Sequence, residues 1–422
     1  MSVAPVTTPG GAGALSGLAV VAMFASFALA YFLSSMLRGV IATLAPEFSR
    51  ELALDAGELG LLAGAYFIGF AAMQLPLGSA LDRFGPKRVL LGFLAVAVMG
   101  NAAFAAATNF ASLTFARVLI GVGVAACLMA PMTAFRHRLA PHAQMRANSW
   151  MLMTGALGLV ASTLPVQWLL PVLGWRGLFW GVAALLLLAM ALITLTVPRD
   201  HKTVAVSGES GNYLQVFRHP TFLRFLPLGF FHYGGMVALQ SLWVGPWLSR
   251  VCGWTATQAA GGLFAINLTM LCTFFTWGAL VPRLYARGWT AQRLVARGVP
   301  VGLGGLLLGI GLGSQATTWV WVLFCVATSV MSLAQPAVGQ AFAATLAGRA
   351  LSAFNLVIFA GVFVMQWGIG LAIDRFQAWG WGTVSSFRGA FALYALCCVF
   401  SYLWFLWRDD RMAIPSTAKS AP

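Results

Sequence analysis

Long apolar runs, broken by clusters of charge, glycine and proline, recur along the whole chain. They fall at about 17–46, 56–81, 88–107, 111–135, 147–170 and 177–197, and again at about 221–249, 257–281, 294–313, 318–343, 350–372 and 388–407. Each is close to or above the roughly 20 residues that carry a helix across a bilayer. Of the 422 residues, 60% are hydrophobic and 8% charged, which leaves little for a soluble domain. Lipid offers no partner to the backbone of an open strand, and the ten-residue alternation of a membrane barrel is missing. The expectation is an all-α membrane protein with twelve transmembrane helices.

An even number of spans puts both termini on one side. Of the 25 lysines and arginines, Arg38 and Arg117 fall inside spans, and Arg50, Arg176, Arg250, Arg375 and Arg388 fall on the side opposite the termini. The other 18 lie on the termini side. This asymmetry places both termini in the cytoplasm and explains most of the net charge of +15 without a nucleic-acid partner. The six cysteines form no CxxC pair and read as reduced packing residues. The first apolar run exceeds signal-peptide length and lacks a basic leader, so it is expected to stay in the mature protein. A composition rich in Ala, Gly and Trp points to a GC-rich bacterium, hence to the inner membrane.

The longest polar interval, 199–220, has a Ser/Gly-rich centre and divides the chain nearly in half. The expected organisation is a six-helix bundle over 1–198, a cytoplasmic linker over 199–220, a second bundle over 221–410 and a tail over 411–422. An offset of 200 residues aligns Pro46 with Pro246, Gly78 with Gly278 and Arg83 with Arg283. With slight drift, Arg146 matches Arg349 and Arg176 matches Arg388. Repeated topology and repeated residues together indicate two internal repeats.

The loop after helix 2 reads Gly78-Ser-Ala-Leu-Asp82-Arg83-Phe-Gly85-Pro-Lys87-Arg88, and helix 4 contains Arg117-Val-Leu-Ile-Gly121-Val-Gly123. In these motifs the chain resembles the major facilitator superfamily. The resemblance implies two pseudo-symmetric six-helix bundles, alternating access, a monomer, and a cavity lined by helices 1, 2, 4, 5, 7, 8, 10 and 11. It also implies a gating role for Gly78, Asp82, Arg83, Gly85, Lys87 and Arg88. The second half has Pro282 in place of the acid, so the gate is expected to be asymmetric.

None of the ten acids falls near the middle of a span, which argues against a carriage site for cations. An unpaired arginine inside a span costs roughly 2.5–3.5 kcal/mol, so Arg38 and Arg117 each need a partner or a wet cavity. The guanidinium fork suits carboxylate, phosphate or nitrate. The stretch from Tyr31 through Arg38 to Pro46 looks like helix 1 of the superfamily's organophosphate, nitrate and other anion porters, which implies that Arg38 holds the anion. The position related by the repeat is Ala238, which argues against a doubly charged organophosphate. Arg117 reads either as a second ligand group or as a tie between helices. His232 reads either as a carrier of the coupling proton or a hydrogen-bonding contact to the substrate, or as a neutral interhelical bond.

Further binding candidates are Tyr31, Tyr66, Gln74, Gln240, Trp243, Asn355 and Gln366, since polar groups in membrane bundles serve as ligand contacts or interhelical glue. No His, Cys or acid set is arranged for a metal, and no cofactor is implied. The expected function is secondary transport of a small anionic solute, with protons the candidate coupling ion and the solute and the lipid bilayer the expected partners. Efflux of an amphipathic drug ranks second and a membrane ligand sensor third. An enzyme ranks last, because no nucleophile, base and orienting acid can be assembled in the spans. A carboxylate at the end of helix 2 can attract the N-terminus of helix 11, near Arg349, and close the inner gate. Asp82→Asn is therefore expected to slow turnover more than it weakens ligand binding, as measured by transport rates in reconstituted vesicles beside ligand titrations.

Overall fold

The computed structural model describes residues 17–198 and 213–408, which are helical apart from short turns and hold no strand. Helix α1 is Gly17–Glu51; α2 is Ala56–Ala72 continuing as Gln74–Phe84 after a 45° bend; α3 is Pro86–Ala106 and α4 is Phe110–Arg138. Helix α5 starts as Pro141–Ala161 and, after a break at Ser162 and Thr163, runs on over 164–173. Gly174, at φ 62, turns the chain into α6 over 175–196. Only glycine takes that left-handed conformation cheaply. The second half comprises α7 (Pro220–Val251), α8 (Ala256–Ala286), α9 (Ala291–Gln315), α10 (Thr318–Gln340), α11 (Ala344–Ala378) and α12 (Thr383–Trp407).

Among the described residues, ten helices are long and apolar enough to cross a membrane, and the bent α2 makes an eleventh. The twelfth expected span is α5, whose first turns are diluted by His142, Gln144, Arg146, Asn148 and Ser149. Most of the expected linker, 199–212, and the tail from 409 lie outside the described residues. Within the linker range, Tyr213–Arg218 forms a short helix, because Val216 is buried in an apolar cluster with Phe222 and Phe225. The second bundle thus takes its first packing residues from before the expected boundary.

Helices α1 to α6 pack mainly on one another, as do α7 to α12, and the two bundles meet through α2 with α11, α1 with α7, and α5 with α8. Glycines bring backbones into contact at the crossings. A Cβ at Gly121 would overlap the Tyr66 carbonyl of α2, and one at Gly123 would overlap Ala97 of α3. The Gly121 and Gly123 noted in the sequence are therefore packing positions, of the small-residue kind that lets membrane helices approach.

Helix α7 is wound as π-helix at Leu228–Tyr233, Leu239–Trp243 and Trp247–Val251. Such wide turns are rare and cluster at functional sites. Gly121→Ala is expected to destabilise the protein by about 1–3 kcal/mol through overpacking, whereas Gly78→Ala, with open space around it, should be neutral. Thermal melts in detergent check both.

Candidate functional site

A central cavity of about 120 Å³ lies between α1, α5, α7 and α8. It has room for several waters or the polar end of a small solute. From α1, Arg38 lines it, half-buried, with Nε in the interior lacking any hydrogen-bond partner. The guanidinium carbon stands 5.6 Å from the ring centre of Phe70 and 5.8 Å from that of Phe359. Those rings meet edge to face at 4.6 Å, one from α2 and one from α11. The aromatic faces stabilise the cation without neutralising it. Tyr31, Tyr66 and Tyr233 are the phenols whose electrostatic influence reaches Arg38. Among the described residues no carboxylate comes within ion-pair distance of it.

Across the cavity, the Gln240 amide donates to Asn267 Oδ1 at 2.8 Å, and Asn267 Nδ2 donates to the Leu159 carbonyl at 3.3 Å. This chain joins α7 and α8 to α5 of the other bundle. Ser241, also on the wall, accepts from Gln366 Nε2 at 3.0 Å, while Gln366 Oε1 is buried without a partner. Met236, Leu263, Met270 and Phe274 make the wall mostly apolar. One cation, a few amides and hydroxyls and an apolar body form the usual composition of a small-molecule site.

The other expected residues take different places. Arg117 is fully buried behind Tyr66, its carbon 5.0 Å from that ring and Nη2 donating to the Leu37 carbonyl at 2.6 Å. It ties α4 to α1, although Nε and Nη1 stay unpartnered. Tyr66 donates to the Ser34 carbonyl at 3.2 Å, and Tyr31 packs against Gly155 of α5. Gln74 bonds back to the Phe70 carbonyl of its own helix at 3.3 Å, beside the bend at Met73. His232 faces α12, with Nε2 3.0 Å from the Cys398 carbonyl. Trp243 donates to the Gln366 carbonyl at 3.0 Å, and Asn355 accepts from Gln335 of α10. Tyr233, Phe359 and Thr163 belong to the site or its rim but were not expected. Tyr233 could have been found from its place four residues before Val237 and seven before Gln240.

In the loop after α2, Gly85 sits at φ 80, where its backbone N–H caps the helix on the Leu81 carbonyl. Lys87 caps the end of α6 by donating to the carbonyls of Thr194 at 2.8 Å and Val197 at 2.5 Å. The Arg83 guanidinium stacks on Phe84, Arg88 is exposed, and Gly78 borders open space. Asp82 is exposed and makes no hydrogen bond or ion pair among the described residues, so the expected attraction to the start of α11 is not formed in this conformation.

A sequence model described as Major Facilitator Superfamily matches residues 27–366. The chain belongs to the major facilitator superfamily. It is thus a multi-pass membrane protein and a secondary transporter. It is 27% identical over 292 residues to the 3-(3-hydroxy-phenyl)propionate transporter of Escherichia coli K12, covering 66% of this chain and 71% of that one. It is 30% identical over 170 residues to a chloramphenicol resistance protein of Streptomyces lividans, covering 40% and 43%. In fold it is similar to a bacterial homologue of the human lysosomal transporter Spinster, solved in an inward-facing, unoccupied conformation. That likeness has a TM-score of 0.79 at 17% identity and covers 96% of this chain and 100% of the other.

In this superfamily member the bundles are closed against each other on the face opposite the termini. Asp374 of α11 accepts from the backbone N–H groups of Ala56 at 3.0 Å and Gly57 at 2.6 Å, capping the N-terminus of α2. Gly60 and Gly370 allow the two backbones to touch beside that clamp. Hydrogen bonds to a charged group contribute roughly 1.5–3 kcal/mol. Asp374→Ala is therefore expected to raise the population open on that face about tenfold. The rate at which an impermeant maleimide labels Gln240→Cys, in a background without other cysteines, reads this out.

Proposed function

We propose that this transporter carries a small organic monoanion, bound by Arg38 in the central cavity. The observation that carries the reading is a cavity-lining guanidinium with no carboxylate beside it. An unmatched cation at this depth is costly, and an anionic solute is the partner that offsets the cost. The absence of a second arginine at Ala238 favours a single negative charge, and the wall of Met236, Met270 and Phe274 favours an apolar body behind it. A carboxylate paired bidentately to Arg38, with amide contacts from Gln240 and Asn267, suits this chemistry. The relative named for a hydroxyphenylpropionate carries such a solute, which supports the reading.

The basic excess supports an orientation with both termini in the cytoplasm of a bacterial inner membrane. No histidine or acid lines the cavity among the described residues, so coupling to protons would have to use the substrate's own carboxylate. A pH gradient imposed on vesicles tests that point. The second reading is export of an uncharged amphipathic drug, favoured by the same apolar wall and by the chloramphenicol resistance relative.

Ligands stabilise the state that they bind, by about 2.7 kcal/mol at a hundredfold excess over Kd. Thermal shifts against 3-phenylpropionate, benzoate, nitrate, phosphate and chloramphenicol separate the two readings. The expected result is stabilisation by monocarboxylates that Arg38→Gln abolishes. Stabilisation by chloramphenicol alone, unchanged in Arg38→Gln, selects the drug reading.

A further inference from the structure

The 200-residue repeat extends beyond the prolines. Pro46-Glu-Phe-Ser49-Arg50 on α1 and Pro246-Trp-Leu-Ser249-Arg250 on α7 share the pattern Pro-x-x-Ser-Arg. The fold brings the two copies together. On the face opposite the termini they line a pocket of about 360 Å³, each contributing its proline, serine and arginine. This pocket is separate from the cavity that Arg38 lines. One wall comes from each bundle, so the pocket exists as a whole only while that face is closed.

Its electrostatics are unbalanced. Arg50 pairs with Glu47 on its own helix and is otherwise exposed, its side chain 77% accessible. Arg250 donates from Nη2 to the Ser49 hydroxyl at 2.6 Å and has no carboxylate within ion-pair distance among the described residues. A guanidinium has five donors, and one bond to a neutral hydroxyl leaves most of them and the charge unmatched. The acid whose field reaches Arg250 is Asp374. Both of its carboxylate oxygens already accept backbone N–H groups of α2.

We infer that this pocket is a second anion site, in which a small soluble oxyanion such as sulfate or a free carboxylate bridges Arg50 and Arg250. Because the two arginines belong to different bundles, an anion between them holds the face opposite the termini closed. Planar forks from two sides match an oxyanion, and the Ser49 hydroxyl, which accepts from Arg250, still has its own proton to donate, whereas Ser249 donates to the Gly245 carbonyl of its own helix. The pocket lies between α1 of one bundle and α7 of the other, and the proposed occupant is the dissolved ion rather than a lipid headgroup.

Site-resolved modification by phenylglyoxal, read by peptide mass spectrometry on the full chain in lipid-free detergent, tests this. Sulfate is compared with chloride at equal ionic strength, since exposed charges are screened alike by either salt. The expected result is at least about fivefold protection of both Arg50 and Arg250, with none at Arg176 or Arg388, which lie on the same face. Protection should persist in Arg38→Gln, which separates this site from the transport cavity. Arg250→Gln should remove the protection of Arg50. Equal protection of all four arginines, no protection, protection lost in Arg38→Gln, or Arg50 still protected in Arg250→Gln would each overturn the inference. So would protection that needs added anionic phospholipid and is indifferent to sulfate.

Discussion

A guanidinium held at mid-depth in a bundle whose spans hold no central acid sets the terms for everything around it. Arg38 cannot be neutralised from within the cavity, so its charge is spread over aromatic faces and left open to whatever enters. Phe70 and Phe359 come from opposite bundles, so the cradle of the cation is also a contact between the bundles.

The second cation is handled differently. Arg117 lies only one aromatic ring away, yet it is fully buried and spends its Nη2 on a backbone carbonyl of α1. The glycines that follow it on α4 permit close approach to α2 and α3, and Tyr66 fills the space between the two arginines. Arg117 therefore helps to fix the wall that positions Arg38. The Gln240–Asn267–Leu159 chain does similar work across the other seam, where a loss of any member would leave a polar group stranded in a region without bulk water.

Much of this was legible in residue order. Apolar run length and charge asymmetry carry the helix count, because the bilayer imposes both. Arg38 stood out because charge inside a span is costly wherever it falls. Orientation around a helix was less legible. His232 and Tyr233 are neighbours in the same π-wound turn, yet the first bonds to α12 and the second lines the cavity. Trp243 and Asn355 have the chemistry of ligand contacts and serve between helices, which residue type alone does not distinguish. Phe359 was unreadable as a site residue because its role depends on a partner ring nearly 290 positions earlier in the chain. The break in α5 at Ser162 and Thr163 likewise follows from packing, since Thr43 of α1 donates to the freed Ser162 carbonyl.

Alternating access needs two closures of similar free energy, or a solute of ordinary affinity could not tip the balance. The closed face is held by helix-end contacts: the Asp374 carboxylate on the α2 N-terminus, and Arg250 on Ser49. On the termini side, Asp82 makes no hydrogen bond or ion pair among the described residues at the other end of the same α2, while α11 offers a helix N-terminus there. One helix pair therefore carries a carboxylate-to-amide clamp at one end and the parts for another at the opposite end. On the proposed reading, breaking the first while forming the second would exchange like for like, keeping the difference between the two states within the few kcal/mol that a single bound anion would supply.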